Sequence, residues 1–301
     1  MTQSLLAIHP TQHPTESLPS YLLRLSERNG YDSPKKMFRV ADMNSDELSS
    51  KTYNCKKLAD IANRTRDEIE QIAMKPLHSG DRGLRLLGHT VGIGYLDLQR
   101  AKVCPACVNE KGFIEAHWHL SFMVACPTHE QAAVYFCVEC EKPLTWLRQG
   151  LLKCKCGARC QSLSRSIIAK PQLQLLDLIR RKTLGDLTMR SDDCIPERQF
   201  ENMSLQEILS TVRMLGKARM GASGRKPSNW PSDIVPAAAN VLADWPSNFH
   251  RLLKDFAPSR TMETWIPAIA DYAGIDGLIK ESAAERYTLR KFEMSHHSVG
   301  S

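Results

Sequence analysis

The stretch VCPACVNEKGFIEAHWHLSFMVACPTHEQAAVYFCVEC, residues 103–140, packs five cysteines and three histidines into thirty-eight positions. A chain of 301 residues can bury a full core without covalent staples, so these sulfurs need another explanation. Eight of the ten cysteines fall between Cys104 and Cys160, where an oxidised scaffold would spread them more widely. The sequence holds no run of eighteen apolar residues, and its start, MTQSLLAIHP, lacks a basic segment followed by a long apolar one. The expectation is a cytoplasmic protein with no membrane partner. In that compartment thiols stay reduced, and clustered cysteines are metal ligands rather than disulfides.

Tetrahedral zinc takes four soft or borderline ligands, usually as two close pairs brought together by the fold. Four pairs occur in order: Cys104 with Cys107, Cys126 with His129, Cys137 with Cys140, and Cys154 with Cys156, with Cys160 close behind. Eighteen residues separate the first pair from the second and thirteen the third from the fourth, gaps that suit short strands or a strand and a helix closing over one ion. Sequential pairing predicts two structural zinc ions per chain, one held by three cysteines and a histidine, the other by four cysteines. Cys156 and Cys160 both remain candidates for the last ligand, and interleaved pairing is the alternative to sequential pairing. His117 and His119 lie between ligands and read as packing or surface residues, and Cys55 and Cys194 as lone thiols. Eight ligands fill two sites completely, leaving no open position for catalytic water. The zinc deaminase signature is also missing, since each proline follows its cysteine in CPAC and CPTH.

Hydrophobic content of 42% and charged content of 24% are those of a globular protein. The formal charge of +7 hints at an anionic partner, but seven thiolates and two zinc ions would reduce it to about +4. Three segments separate by composition: a helical one at 1–101, the cysteine-bearing one at 102–162, and a second helical one at 163–301. The predicted fold is therefore mainly α with a small zinc-stabilised α+β module.

In the first segment, Leu18, Tyr21, Leu22 and Leu25 form one helical face behind Ser17 as N-cap, with Gly30 just past the end. Further on, Leu58, Ile61 and Ala62 mark a short helix, and Ile69, Ile72 and Ala73 a second, started by the capping box of Thr65 and Glu68. The pair reads either as a helix-turn-helix or as an ordinary helical hairpin. Its second helix carries more acid than base, which is poor for a major groove. In the third segment, Leu205, Ile208, Leu209, Val212 and Leu215 share a face behind a capping box of Ser204 and Glu207. The following KARMGASGRKP reads as a basic loop in which Lys217, Arg219, Arg225 and Lys226 can follow a phosphate backbone, or as a solvated loop with no partner. Phe249, Leu252, Leu253 and Phe256 mark a last helix, and MSHHSVGS reads as a frayed tail. GHTVGIGY lacks the G-K-[ST] of a phosphate-binding loop, and no hydrolase motif is present, so a non-enzyme is expected.

These motifs together resemble a known family. The opening PTESLPSYLLRLSERNGY matches P-x-x-E-S-L-x-S-x-L-x-R-L, with one residue fewer between Pro14 and Glu16. The family pattern C-x2-C, W-H, C-x2-H then falls on Cys104, Cys107, Trp118, His119, Cys126 and His129, and a second zinc module on Cys137, Cys140, Cys154 and Cys156. This resembles the TniQ family of transposition proteins, which includes TnsD-type target selectors. The resemblance spans about residues 9–160 and extends weakly to DWPSNFHRLLKDF. It implies an N-terminal helix-turn-helix, tandem zinc fingers and further helical domains. It also implies a bacterial, cytoplasmic adaptor, in some members a dimer, that recruits a transposon's AAA+ ATPase regulator and its transposase to a chosen site. Some members read an attachment-site DNA directly, whereas others pair with the CRISPR effector complex Cascade. The chain is short beside the directly reading members and its helix-turn-helix candidate is acidic. The favoured expectation is the Cascade-linked adaptor, with the direct attachment-site reader as the alternative.

Overall fold

The computed structural model describes residues 6–43, 53–77, 82–161, 167–186, 188, 194–224 and 226–256. Arg225 and the tail MSHHSVGS lie outside them. The chain divides into two compact units, one of Met1–Ile168 with Leu176–Thr188 and one of Ala169–Leu175 with Met189–Ser301. Among the described residues, no helix is long and apolar enough to cross a membrane.

The first unit opens with α1 (Leu18–Arg28), capped by Ser17, whose hydroxyl accepts from the Ser20 amide, and closed beyond Asn29 by Gly30 at φ +74°. Then come α2 (Pro34–Val40), α3 (Cys55–Ala62) and α4 (Arg66–Ile72). Asn63, in the left-handed region, ends α3, and Thr65 with Glu68 starts α4 as a reciprocal capping box, so two short helices meet across a tight turn. Their inward faces, Leu58, Ile61, Ala62, Ile69 and Ile72, join Leu18, Tyr21, Leu22 and Leu25 of α1 and Phe38 of α2 in one apolar core.

The helical reading of 1–101 needs one correction. Three short strands, β1 (Lys75–Pro76), β2 (Gly83–Leu86) and β3 (His89–Gly92), form an antiparallel sheet in that order. Leu84 and Leu86 are buried on one side of exposed Arg85, and Leu87 and Gly88, both at positive φ, turn the chain so that Leu86 faces His89. The alternation of Leu84 and Leu86 about Arg85 is a strand signal too short to outweigh the helical segments around it.

A buried ion pair joins the opening motif to the cysteine-bearing segment. Glu16 is fully buried, and Arg24, two turns along α1, donates to it from Nε (3.1 Å) and Nη2 (2.6 Å). The Ser20 hydroxyl donates to the same carboxylate at 3.0 Å and accepts from the Ile114 amide at 2.8 Å. Burial pushes the Glu16 carboxyl up, and Arg24 opposes that shift. Around this pair Glu16 bridges Glu115 in antiparallel register, and the Ala116 amide donates to Thr15 O at 2.8 Å. Further along α1, Glu27 Oε2 accepts from the Leu151 amide at 3.1 Å.

After α6 (Lys170–Leu184), the helices α7 (Leu205–Ala222), α8 (Pro231–Leu242) and α9 (Ser247–Phe256) of the second unit pack together. The capping box of Ser204 and Glu207 starts α7, and Ile208, Leu209, Val212 and Leu215 are buried along it. Phe249 and Leu252 of α9 are buried as well. The helix does not end where the basic loop was expected. It runs through Lys217 and Arg219 to Ala222 because Ala218 and Met220 continue the buried face. Gly216 is required here for packing: a Cβ would lie 2.4 Å from Ile234 O of α8, a backbone atom that cannot give way cheaply. Helix propensity alone favours Gly216→Ala by about 1 kcal/mol. The clash should reverse that sign and cost about 1–3 kcal/mol net. Denaturant unfolding of the variant would show a lower midpoint, and an unchanged or raised midpoint would refute the close packing.

Candidate metal centres

The first quartet is assembled by local structure. Cys104 is the N-cap of α5 (Pro105–Lys111), and Cys107 lies in its first turn, placed there by Pro105 at the first helical position. Cys126 ends β4 (Ala125–Cys126), which pairs with β5 (Gln131–Ala132), and His129 sits in the turn between them. His129 Nδ1 lies 3.5, 3.2 and 3.5 Å from the sulfurs of Cys104, Cys107 and Cys126, and the Cys107 and Cys126 sulfurs are 3.5 Å apart. With metal–sulfur bonds of about 2.3 Å and metal–nitrogen bonds of about 2.0 Å, a regular tetrahedron has edges of about 3.5–3.8 Å. The quartet matches those edges, so it can hold one ion. Three of its members are buried and His129 is half-buried.

The second quartet is Cys137, Cys140, Cys154 and Cys156, with sulfur separations of 3.6 Å (Cys137 to Cys156) and 3.7 Å (Cys140 to Cys154). These too are tetrahedral edges. Cys137 and Cys140 lie on a hairpin in which the Cys137 amide donates to Lys142 O at 2.9 Å, and the Cys154 amide donates to Ala158 O at 2.8 Å across a second turn. The Cys137 thiol is drawn down to about 7, chiefly by the backbone amide of Cys140. Within each quartet the donor atoms lie within 4.8 Å of one another. Pairing is therefore sequential, and Cys156 rather than Cys160 completes the second set. Cys160 is buried apart from it, near Arg148, and burial pushes its thiol up. Backbone bonds between Val103 and Val134 in both directions (3.0 and 2.8 Å) join the segment entering the first quartet to the one entering the second.

The histidines between the ligands are core residues. His117 and His119 lie on a 3-10 turn (Ala116–His119) and are 1% and 0% exposed. His119 stacks on Trp146 at 4.8 Å, and burial pushes its imidazole down to about 3. Trp118 is buried beside them, and Lys102, also buried, donates to Leu120 O with its amine pushed down to about 7. Burial also holds His117 well below the ordinary imidazole range, so near pH 7 both histidines are neutral, buried side chains.

A protein-family model named TniQ matches residues 7–132. Residues 7–132 carry a TniQ domain. No curated protein matches it at a significant level. The matched TniQ residues include the Glu16–Arg24 pair, the Trp118–His119 core and the whole first quartet, and the TniQ domain marks the chain as a transposition-associated protein. The second quartet lies beyond the match.

The remaining site residues are scattered. Lys217 and Arg219 are half-buried on α7, and Arg219 Nε donates to Asn240 Oδ1 at 3.2 Å. Lys226 is exposed and Arg225 is outside the described residues. Sequence reasoning missed Glu110 and Gln131, which touch ligands of the first quartet: Glu110 Oε1 lies 2.7 Å from His129 Nε2, and Gln131 Nε2 lies 2.8 Å from Cys104 Sγ. The signal for Glu110 was its place three residues after Cys107, at helical spacing.

Proposed function

We propose that this protein is a non-catalytic target-site adaptor in transposition, built around two structural zinc ions. In this reading, Cys104, Cys107, Cys126 and His129 hold one zinc, and Cys137, Cys140, Cys154 and Cys156 the other. The metals supply no reaction step; each closes a segment with too little apolar surface to fold alone. The quartets are tandem zinc fingers, α3 and α4 are a helix-turn-helix, and the helices of the second unit complete the adaptor. The protein links a DNA-targeting complex, Cascade, to the AAA+ ATPase regulator and so to the transposase.

The observation that carries the reading is the TniQ domain. Direct reading of an attachment site has less support. The exposed side of α4 presents Asp67, Glu68 and Glu70 against Arg66, and Arg219 already engages Asn240.

Reconstituted transposition tests the proposal. With transposase, ATPase regulator and RNA-guided effector present, omitting this protein should drop insertion at the guided site to background, and the purified protein should co-elute with both the effector and the ATPase. Undiminished insertion without it would refute the adaptor role. Tight, sequence-selective binding to one duplex by the protein alone, falling steeply with salt, would instead establish the direct reader.

A further inference from the structure

The first quartet carries two groups that the zinc-ligand pattern does not include. Glu110 sits on α5 one turn beyond Cys107, and its Oε1 is 2.7 Å from His129 Nε2. Gln131 lies on β5 directly across the ladder from Cys126, and its Nε2 is 2.8 Å from Cys104 Sγ. Both therefore stand on the same short elements that deliver ligands, α5 and the β4–β5 hairpin.

We propose that Glu110 and Gln131 are positioning residues that set the metal affinity of the first site and the tautomer of His129. The inference rests on the metal reading given above. His129 turns Nδ1 toward the three sulfurs, so a metal there takes the Nδ1 lone pair and the ring proton resides on Nε2. Nε2–H then donates to Glu110, which fixes the ring plane and makes the imidazole a stronger donor to the ion. Gln131 acts on the other side of the site. Its amide donates one N–H to the Cys104 thiolate and spreads charge that three sulfurs would otherwise concentrate in a buried pocket. The second quartet has no histidine and thus no counterpart of the Glu110–His129 pair, which makes it an internal control in the same molecule.

The Glu110 side chain is 59% exposed, so removing it opens no core cavity, and a loss of affinity reports on the site rather than on folding. Competition of the full chain against a chromogenic zinc chelator should show one of the two zinc ions bound about 10–100-fold more weakly in Glu110→Ala, with the other unchanged. Glu110→Gln should recover part of the loss, because its amide oxygen still accepts the Nε2 proton. Gln131→Ala should weaken the same ion. Nitrogen-15 spectra of the zinc-loaded wild type should show His129 metallated at Nδ1 and protonated at Nε2. Equal zinc affinities in wild type and Glu110→Ala, or metal on Nε2, would overturn the inference while leaving two bound zinc ions intact. A wild-type chain that takes up no zinc would overturn the metal reading itself.

Discussion

Replacing Cys107 with serine is expected to release one of two zinc ions and to unfold the segment built on α5, β4 and β5. Cys107 supplies one of the four donors of the first quartet, and a serine hydroxyl is neither a thiolate nor long enough to reach the shared centre. Structural zinc contributes apparent folding energies of about 10–16 kcal/mol in small modules. A domain's whole stability is only about 5–15 kcal/mol, so even partial loss is severe. The damage should spread, because Val103 and Val134 pair backbone to backbone and Ile114 is tied to Ser20 of α1. Metal analysis should return about one zinc per chain, and amide exchange should lose protection across 103–134 first. A variant that keeps both ions and full protection would show that Cys107 is not a ligand.

The second large effect is expected at the opening motif. Glu16→Leu leaves the buried Arg24 guanidinium without its carboxylate, and breaking a buried pair in this way costs about 3–5 kcal/mol. Replacing both partners, with Glu16→Leu and Arg24→Met, removes the stranded charge and should recover most of the loss. Denaturation midpoints of the four proteins at fixed zinc give the coupling directly. A neutral single variant would mean that water or another acid already serves Arg24. On this view the E-S-L-x-S-x-L-x-R pattern is a structural latch: Glu16, just ahead of α1, bonds Ser20 and Arg24 on it, and Ser20 receives the Ile114 amide from a segment ninety-four residues away.

What could be read from the sequence was what is decided within a few residues. Ser17, Thr65 and Ser204 cap helices as their side chains dictate, and pairs spaced C-x2-C and C-x2-H fall into the predicted quartets. Choosing Cys156 over Cys160 required the folded positions of the sulfurs, which the spacing does not encode. The β1–β3 sheet was hidden because its strands are two to four residues long and its hairpin turns through Leu87, a residue that seldom adopts positive φ. The extension of α7 through Lys217 and Arg219 was hidden by Gly221 and Gly224, which made the basic stretch read as a loop. Gly216, one residue earlier, admits the backbone of α8. The partners of Glu16 and the roles of Glu110 and Gln131 depend on which segments meet, and only the folded chain supplies that.

The most direct test of the central claim is X-ray absorption at the zinc edge on the native, reduced protein, calibrated by metal content. Seven cysteines and one histidine shared between two sites predict about two zinc per chain, with about 3.5 sulfurs near 2.3 Å and about half an imidazole nitrogen per zinc on average. A folded protein free of metal, or zinc surrounded mainly by oxygen, would contradict it.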